Sequence, residues 1–184
     1  MNKVKKIMGD FHQSYSGVFG IFSHYWKAYG GLSAVFLSPY FHLSVILGSI
    51  CYPYKEVGGW KWWDIPIETI PSIIGFSLGG YAIFLGLGDE RFKSILGGND
   101  ETNKDRPSPF ISLNTAFLHF IIIQLLALVL AIVGKSLSIQ YAIYGAPSFI
   151  FFFYAMLLAA AATIELYRVA RWYDIHIDYN KKSS

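Results

Sequence analysis

The sequence predicts an all-α integral membrane protein: four transmembrane helices, an N-terminal interfacial amphipathic helix and a cytoplasmic C-terminal helical extension. Three observations carry this expectation. Of 184 residues, 54% are hydrophobic and only 15% charged, against about a quarter charged in an ordinary soluble domain. Charge-poor windows at 31–53, 70–88, 110–134 and 139–165 each approach the roughly 20 apolar residues that a spanning helix needs. The basic residues are also sided. Lys3, Lys5, Lys6, Lys27, Arg91, Lys93, Lys104, Arg106, Arg168, Arg171, Lys181 and Lys182 fall on one side of such a bundle, and only Lys55, Lys61 and Lys135 on the other. The positive-inside rule then places both termini and the 89–109 loop in the cytoplasm. The expected location is a plasma membrane, in a bacterium the inner one. The net charge of +3 follows from topology and anionic headgroups, and no specific nucleic-acid partner is expected. Too little chain lies outside the spans for a second folded domain, so residues 1–184 read as one membrane domain.

Residues 1–30 form the expected interfacial helix. Phe11, Tyr15, Val18, Phe22, Trp26 and Tyr29 recur at helical spacing opposite Gln13, Ser16, Gly20, Ser23 and Lys27, as in a helix lying in the membrane plane. The basic N-terminus runs into polar residues rather than a compact apolar core, so it reads as retained rather than cleaved. Gly30-Gly31 then turns the chain into the membrane. In span one, Pro39 predicts a kink, Ser44, Gly48 and Cys51 form a small-residue stripe, and His42 is expected to face the bundle interior. Cys51, the only cysteine, reads as a small buried residue and excludes an internal disulfide. The following connection carries Trp60, Trp62 and Trp63, an aromatic belt beside a span. Pro71 is expected in the first turn of span two, where its missing N–H has no consequence.

Span two itself, PSIIGFSLGGYAIFLGLG, places Ser72, Gly75, Gly79, Ala82 and Gly86 on one helix face. Small residues let helix backbones approach closely in a membrane, so this face is the expected packing seam. Ala155, Ala159 and Ala162 repeat the pattern on span four. Ser77 lies off the line, which predicts that Gly79→Leu disrupts packing or assembly while Ser77→Ala is nearly silent. The loop at 89–109 and the tail at 166–184 are polar; Arg91, Lys93, Asp100, Glu101, Lys104, Arg168, Arg171 and His176 are the candidates for docking a cytoplasmic protein partner. Span three holds Asn114, His119 and Gln124. Five-residue steps rotate by about 140° each, so the three groups point in different directions and suit separate interhelical hydrogen bonds rather than a one-sided proton wire. With His42 they are the candidate intramembrane polar or pore groups.

Gly75-Phe76-Ser77-Leu78-Gly79 resembles the nucleophile elbow of α/β-hydrolases, which implies a strained strand-to-helix turn at Ser77 and a later acid and histidine; the chain lacks the alternating strands that such a fold needs. Ser77 with His119 is similar to the dyad of rhomboid proteases, although Leu78 interrupts their G-x-S-G motif. Arg171 and His176 have the spacing of the paired motif of HEPN ribonucleases. No metal-ligand spacing, phosphate-cradling loop or dinucleotide fingerprint is present, so no cofactor or metal is expected. The leading expectation is therefore a homo-oligomeric four-span protein that forms a channel or pore and is not an enzyme. The alternative is a membrane scaffold or sensor that couples an envelope event to a cytoplasmic partner. In outline, it resembles the small multi-span membrane components of bacterial antiviral systems, such as that of Kiwa. An intramembrane or HEPN-like hydrolase comes third.

Overall fold

The computed structural model describes residues 2–52, 61–88, 90–98 and 107–183, with side chains from Tyr15 onward except at 180, 182 and 183. Among these residues every regular element is a helix: α1 (Asn2–Tyr29), α2 (Gly31–Phe36), α3 (Pro39–Cys51), α4 (Asp64–Gly86), α5 (Glu90–Gly97), α6 (Pro109–Ser136) and α7 (Ala142–Ser183). Three of them, α4, α6 and α7, are long and apolar enough to cross a bilayer. These are the dimensions of an integral membrane protein. The 42 residues of α7 extend about 63 Å, roughly twice the hydrocarbon thickness, so this helix continues well past any span.

The expected span at 31–53 is not one helix. It consists of six residues in α2 and thirteen in α3, separated at Leu37 and Ser38. Pro39 does not kink a continuous helix. It excludes the preceding residue from the helical region, and Ser38 is accordingly extended, with φ −69° and ψ 127°. Alone, α3 is about 20 Å long, short of the roughly 30 Å hydrocarbon core. Two other boundaries also moved. Helix α4 begins at Asp64 rather than 70, so Pro66 takes the first turn and Pro71 falls inside the helix. Part of the expected 89–109 loop is α5, whose Phe92 and Leu96 are buried one turn apart.

Helix α7 packs against α3, α4 and α6. Its closest approach is to α3, where a Cβ on Gly48 would stand 2.7 Å from Ile150 Cγ1 and 2.8 Å from its Cα. No side chain fits there without moving backbone. Ser44, one turn earlier, is fully buried, whereas Cys51 is exposed, contrary to the sequence expectation. Helix α4 meets α6 and α7 through Ile70, Ser77, Gly80 and Phe84. Phe84 stacks on Phe117 of α6 at 5.9 Å, and Phe117 meets Phe120 edge-on at 5.8 Å.

One end of the bundle is closed by Trp62. Its ring occupies the space where a side chain on Gly134 would lie and shares with the Tyr52 hydroxyl the space beside Gly145, and its Nε1 donates to the Ile139 carbonyl at 3.0 Å. Trp63 stands edge-on to it at 5.5 Å, Tyr52 packs on Phe149 at 6.0 Å, and Lys135 lies 3.7 Å from Asp64. The ends of α3 and α6 and the starts of α4 and α7 therefore meet at this tryptophan end. At the opposite end α5 lies on the second half of α7, with Phe92 5.1 Å from Tyr173 and 5.6 Å from His176.

Helix α1 packs against α6 through its last turn. Residues 15–24 are exposed, but Tyr25 is buried beside His119, which stands ten residues, about 15 Å, along α6. The last turn of α1 thus reaches into the depth of the bundle. A sharp reversal follows at Gly30 and Gly31, with φ of 103° and 65°, left-handed conformations that favour glycine.

Candidate functional site

The polar side chains of α6 engage three different neighbours. Asn114 accepts from the Tyr81 hydroxyl at 2.7 Å and donates to the Phe110 carbonyl at 2.8 Å. Gln124, fully buried, donates from Nε2 to Ser77 Oγ at 2.8 Å, while its Oε1 has no hydrogen-bond partner among the described residues. His119 holds two hydroxyls: Nδ1 is 2.7 Å from Tyr25 Oη and Nε2 is 3.3 Å from Tyr154 Oη. A neutral imidazole meets both, one nitrogen donating and the other accepting. Tyr29 completes the cluster by stacking on the His119 ring at 3.8 Å and 16°.

This cluster ties α1, α6 and α7 together, and the Gln124–Ser77 bond ties α6 to α4. Chemically, these are interhelical hydrogen bonds that involve the long apolar helices α4, α6 and α7. Ser77 lies mid-helix and fully buried rather than on a strand-to-helix turn, and it bonds to Gln124 while His119 faces the tyrosines, so the two do not form a dyad. His42 is exposed on α3, not turned toward the interior. Among the described residues, no group of three His, Cys, Asp or Glu could hold a metal.

The small-residue seam on α4 faces away from the rest of the chain. Ser72, Gly75, Gly79, Ala82 and Gly86 are all exposed, and a Cβ on any of the three glycines would meet no atom within 4 Å. The inward face is the row of Ser77, Gly80 and Phe84. A Cβ on Gly80 would lie 3.1 Å from Leu166 Cδ1. On α7, Ala155 and Ala162 are buried and Ala159 is half-buried. The two small-residue rows therefore do not pack against each other: the α4 row is exposed, and where α4 meets α7 the close approach is Gly80 against Leu166.

No protein-family model, curated protein or solved structure matches this chain.

Of the docking candidates, Arg91 and Lys93 are exposed on α5 and Arg171 is exposed on α7. Arg168 pairs with Glu165 and lies 5.3 Å from the Trp172 ring centre. His176 is 9% exposed and packs on Phe92, so it is a contact within the chain. Asp100, Glu101 and Lys104 lie outside the described residues. Sequence reasoning missed Tyr25, Tyr29 and Tyr154 as partners of His119, and Gly134 and Gly145 as the seat of Trp62. The only signal for the tyrosines was general: a buried imidazole requires hydrogen-bonding neighbours.

Proposed function

We propose that the protein is a homo-oligomeric membrane channel, assembled through α4, with its pore between protomers, rather than an enzyme. The observation that carries this reading is the row of Ser72, Gly75, Gly79, Ala82 and Gly86, exposed along a helix long enough to cross a membrane. Helix association in lipid depends on close backbone contact at small residues, and a second copy can supply that contact. His42 supports the same reading, because an ionisable side chain exposed on an apolar helix belongs against protein or water rather than hydrocarbon. The polar groups inside one chain are taken up in separate bonds, which favours a pathway between protomers. In this proposal the tryptophan end is external, and the termini are cytoplasmic in a bacterial inner membrane. The test is the oligomeric state in native-lipid nanodiscs, with ion flux in liposomes. Discrete oligomers and flux are expected for the wild type, and Gly79→Leu should reduce both without unfolding the monomer. A strictly monomeric, impermeant protein would overturn the reading.

A second reading, a scaffold for a cytoplasmic partner as in a membrane-anchored antiviral system, is favoured by one feature. An apolar cavity of about 370 Å³ lies between α5 and the last turns of α7, lined by Phe92, Ile95, Ile175 and Tyr179 among others, with exposed Arg91, Lys93 and Arg171 on the same elements. This combination suits an acidic amphipathic segment. Ile95→Asp with Ile175→Asp should then abolish co-purification of a partner, and unchanged co-purification would dismiss it.

A further inference from the structure

The break between α2 and α3 puts irregular backbone at an unusual depth. Val35, Phe36 and Phe41, on either side of the break, line one cavity together with Ile122, Ile123 and Leu126, which sit around the middle of the 28-residue α6. Helix α6 is long and apolar enough to cross a bilayer, so the break lies near the mid-plane of a bilayer that α6 crosses. Hydrogen bonding at the break is incomplete, because Pro39 has no N–H to offer. The Val35 carbonyl takes the Ser38 N–H instead, at 3.1 Å, and the Phe41 N–H goes to the Ser38 carbonyl, also at 3.1 Å. Among the described residues, no backbone N–H then reaches the carbonyls of Ala34 and Leu37. Leu37 is 78% exposed. Non-helical backbone at membrane depth is tolerated only where protein buries it or water lines it, and the rest of this chain leaves Leu37 uncovered.

A second observation marks the same face. His42 and Ser49 are both exposed on α3 and stand two helical turns apart on one side of it, with His42 one turn beyond Ser38. Across residues 31–51, 70–86, 110–134 and 142–164, His42 is the only exposed His, Lys, Arg, Asp or Glu. An imidazole there requires water or a polar partner. By contrast, every exposed residue of α6 from 110 to 134 is apolar, as a lipid-facing surface requires. We infer that α3 is the wet wall of the channel proposed above, a reading on which this inference rests: the break, His42 and Ser49 face the pore, and the permeant ion is a monovalent cation. From residue 28 to 54 the chain has no Lys, Arg, Asp or Glu. Carbonyl oxygens without a fixed charge replace the hydration of a monovalent cation, whereas anion pores use Arg or Lys and calcium or magnesium sites use carboxylates.

The test is cysteine accessibility of the full chain in liposomes. Cys51, the only cysteine, is first removed as Cys51→Ser. Single cysteines are then introduced as Leu37→Cys, His42→Cys and Ser49→Cys on the proposed wall, and as Leu118→Cys and Leu125→Cys on α6, where these leucines are 42% and 47% exposed on either side of the helix midpoint. Thiols react as thiolates, which form in water and not in hydrocarbon, so a charged methanethiosulfonate reagent should modify the three wall positions at least about tenfold faster than the two α6 positions. Modification at 42 should also block ion flux, and reversal potentials under a potassium chloride gradient should report potassium over chloride. Equal rates at the two sets of positions in a conducting oligomer would overturn the wet wall and leave the channel standing. Chloride selectivity, or calcium passing as readily as potassium, would overturn the assignment of the ion. A monomeric, impermeant protein would overturn the channel and this inference with it.

Discussion

Ser77 and Gln124 form a buried pair whose separate deletions have different consequences. Ser77→Ala removes the 2.8 Å bond from Gln124 Nε2, worth about 0.6–2 kcal/mol between membrane helices. Because Oε1 already lacks a partner, the variant leaves the entire amide unsatisfied, and an orphaned buried polar group adds roughly 1–3 kcal/mol. The expected destabilisation is about 1.6–5 kcal/mol. Gln124→Leu removes the whole amide, and the Ser77 hydroxyl can turn to a carbonyl one turn back in its own helix. That variant should change stability by less than about 1 kcal/mol, and Ser77→Ala/Gln124→Leu should be more stable than Ser77→Ala alone, since replacing both partners by apolar groups is nearly neutral. Reversible unfolding in mixed micelles, arranged as a double-mutant cycle, measures the coupling. Ser77→Ala within about 0.3 kcal/mol of wild type, with no coupling, would refute the pairing and restore the sequence expectation that this serine is silent.

Gly48→Val should prevent α3 from seating on α7, because the new side chain meets the Ile150 backbone; overpacking costs at least about 1–3 kcal/mol, read as lowered unfolding resistance and a broadened size-exclusion profile. Trp62→Ala should cost about 3–5 kcal/mol, with the loss of protection by hydrogen exchange concentrated at 134–145. Tyr25→Phe should release the end of α1 while α3, α4, α6 and α7 stay folded, seen as faster proteolysis or exchange confined to residues 15–30. Asp64→Asn should change stability by less than about 1 kcal/mol, because the Lys135 and Asp64 side chains are 58% and 35% exposed; a larger loss at high salt would contradict a surface pair.

The class of the fold was legible because composition and long apolar runs decide it, and α6 is where the 110–134 window placed it to within two residues. The boundaries that failed did so for local reasons. Pro39 acts on its preceding residue, which splits a run of uniform hydropathy, and Pro66 offers a start signal upstream of the apolar window that hid it. Helix α5 was obscured by the loop composition downstream, although Phe92, Ile95 and Leu96 have helical spacing. Periodicity shows which residues share a face but not which face is inward. On α4, two rows compete, and the inward one is the row that meets Leu166 of α7 and Phe117 of α6, both far away in sequence. The divergence of Asn114, His119 and Gln124 follows from helix geometry alone. Their partners do not, since Tyr25, Tyr154 and Ser77 lie 94, 35 and 47 residues away.

The seating of Trp62 between Gly134 and Gly145 makes the molecule mechanically one-sided. A rigid ring lodged where two helices lack side chains, and bonded to the turn that joins them, acts as a fixed pivot: α6 and α7 cannot slide or rotate there without expelling it. Any rearrangement must therefore splay the helices from the other end, where α5 rests on the long overhang of α7. Signals received at that end would be levered about the tryptophan, and the bundle would open like a fan rather than tilt as a block.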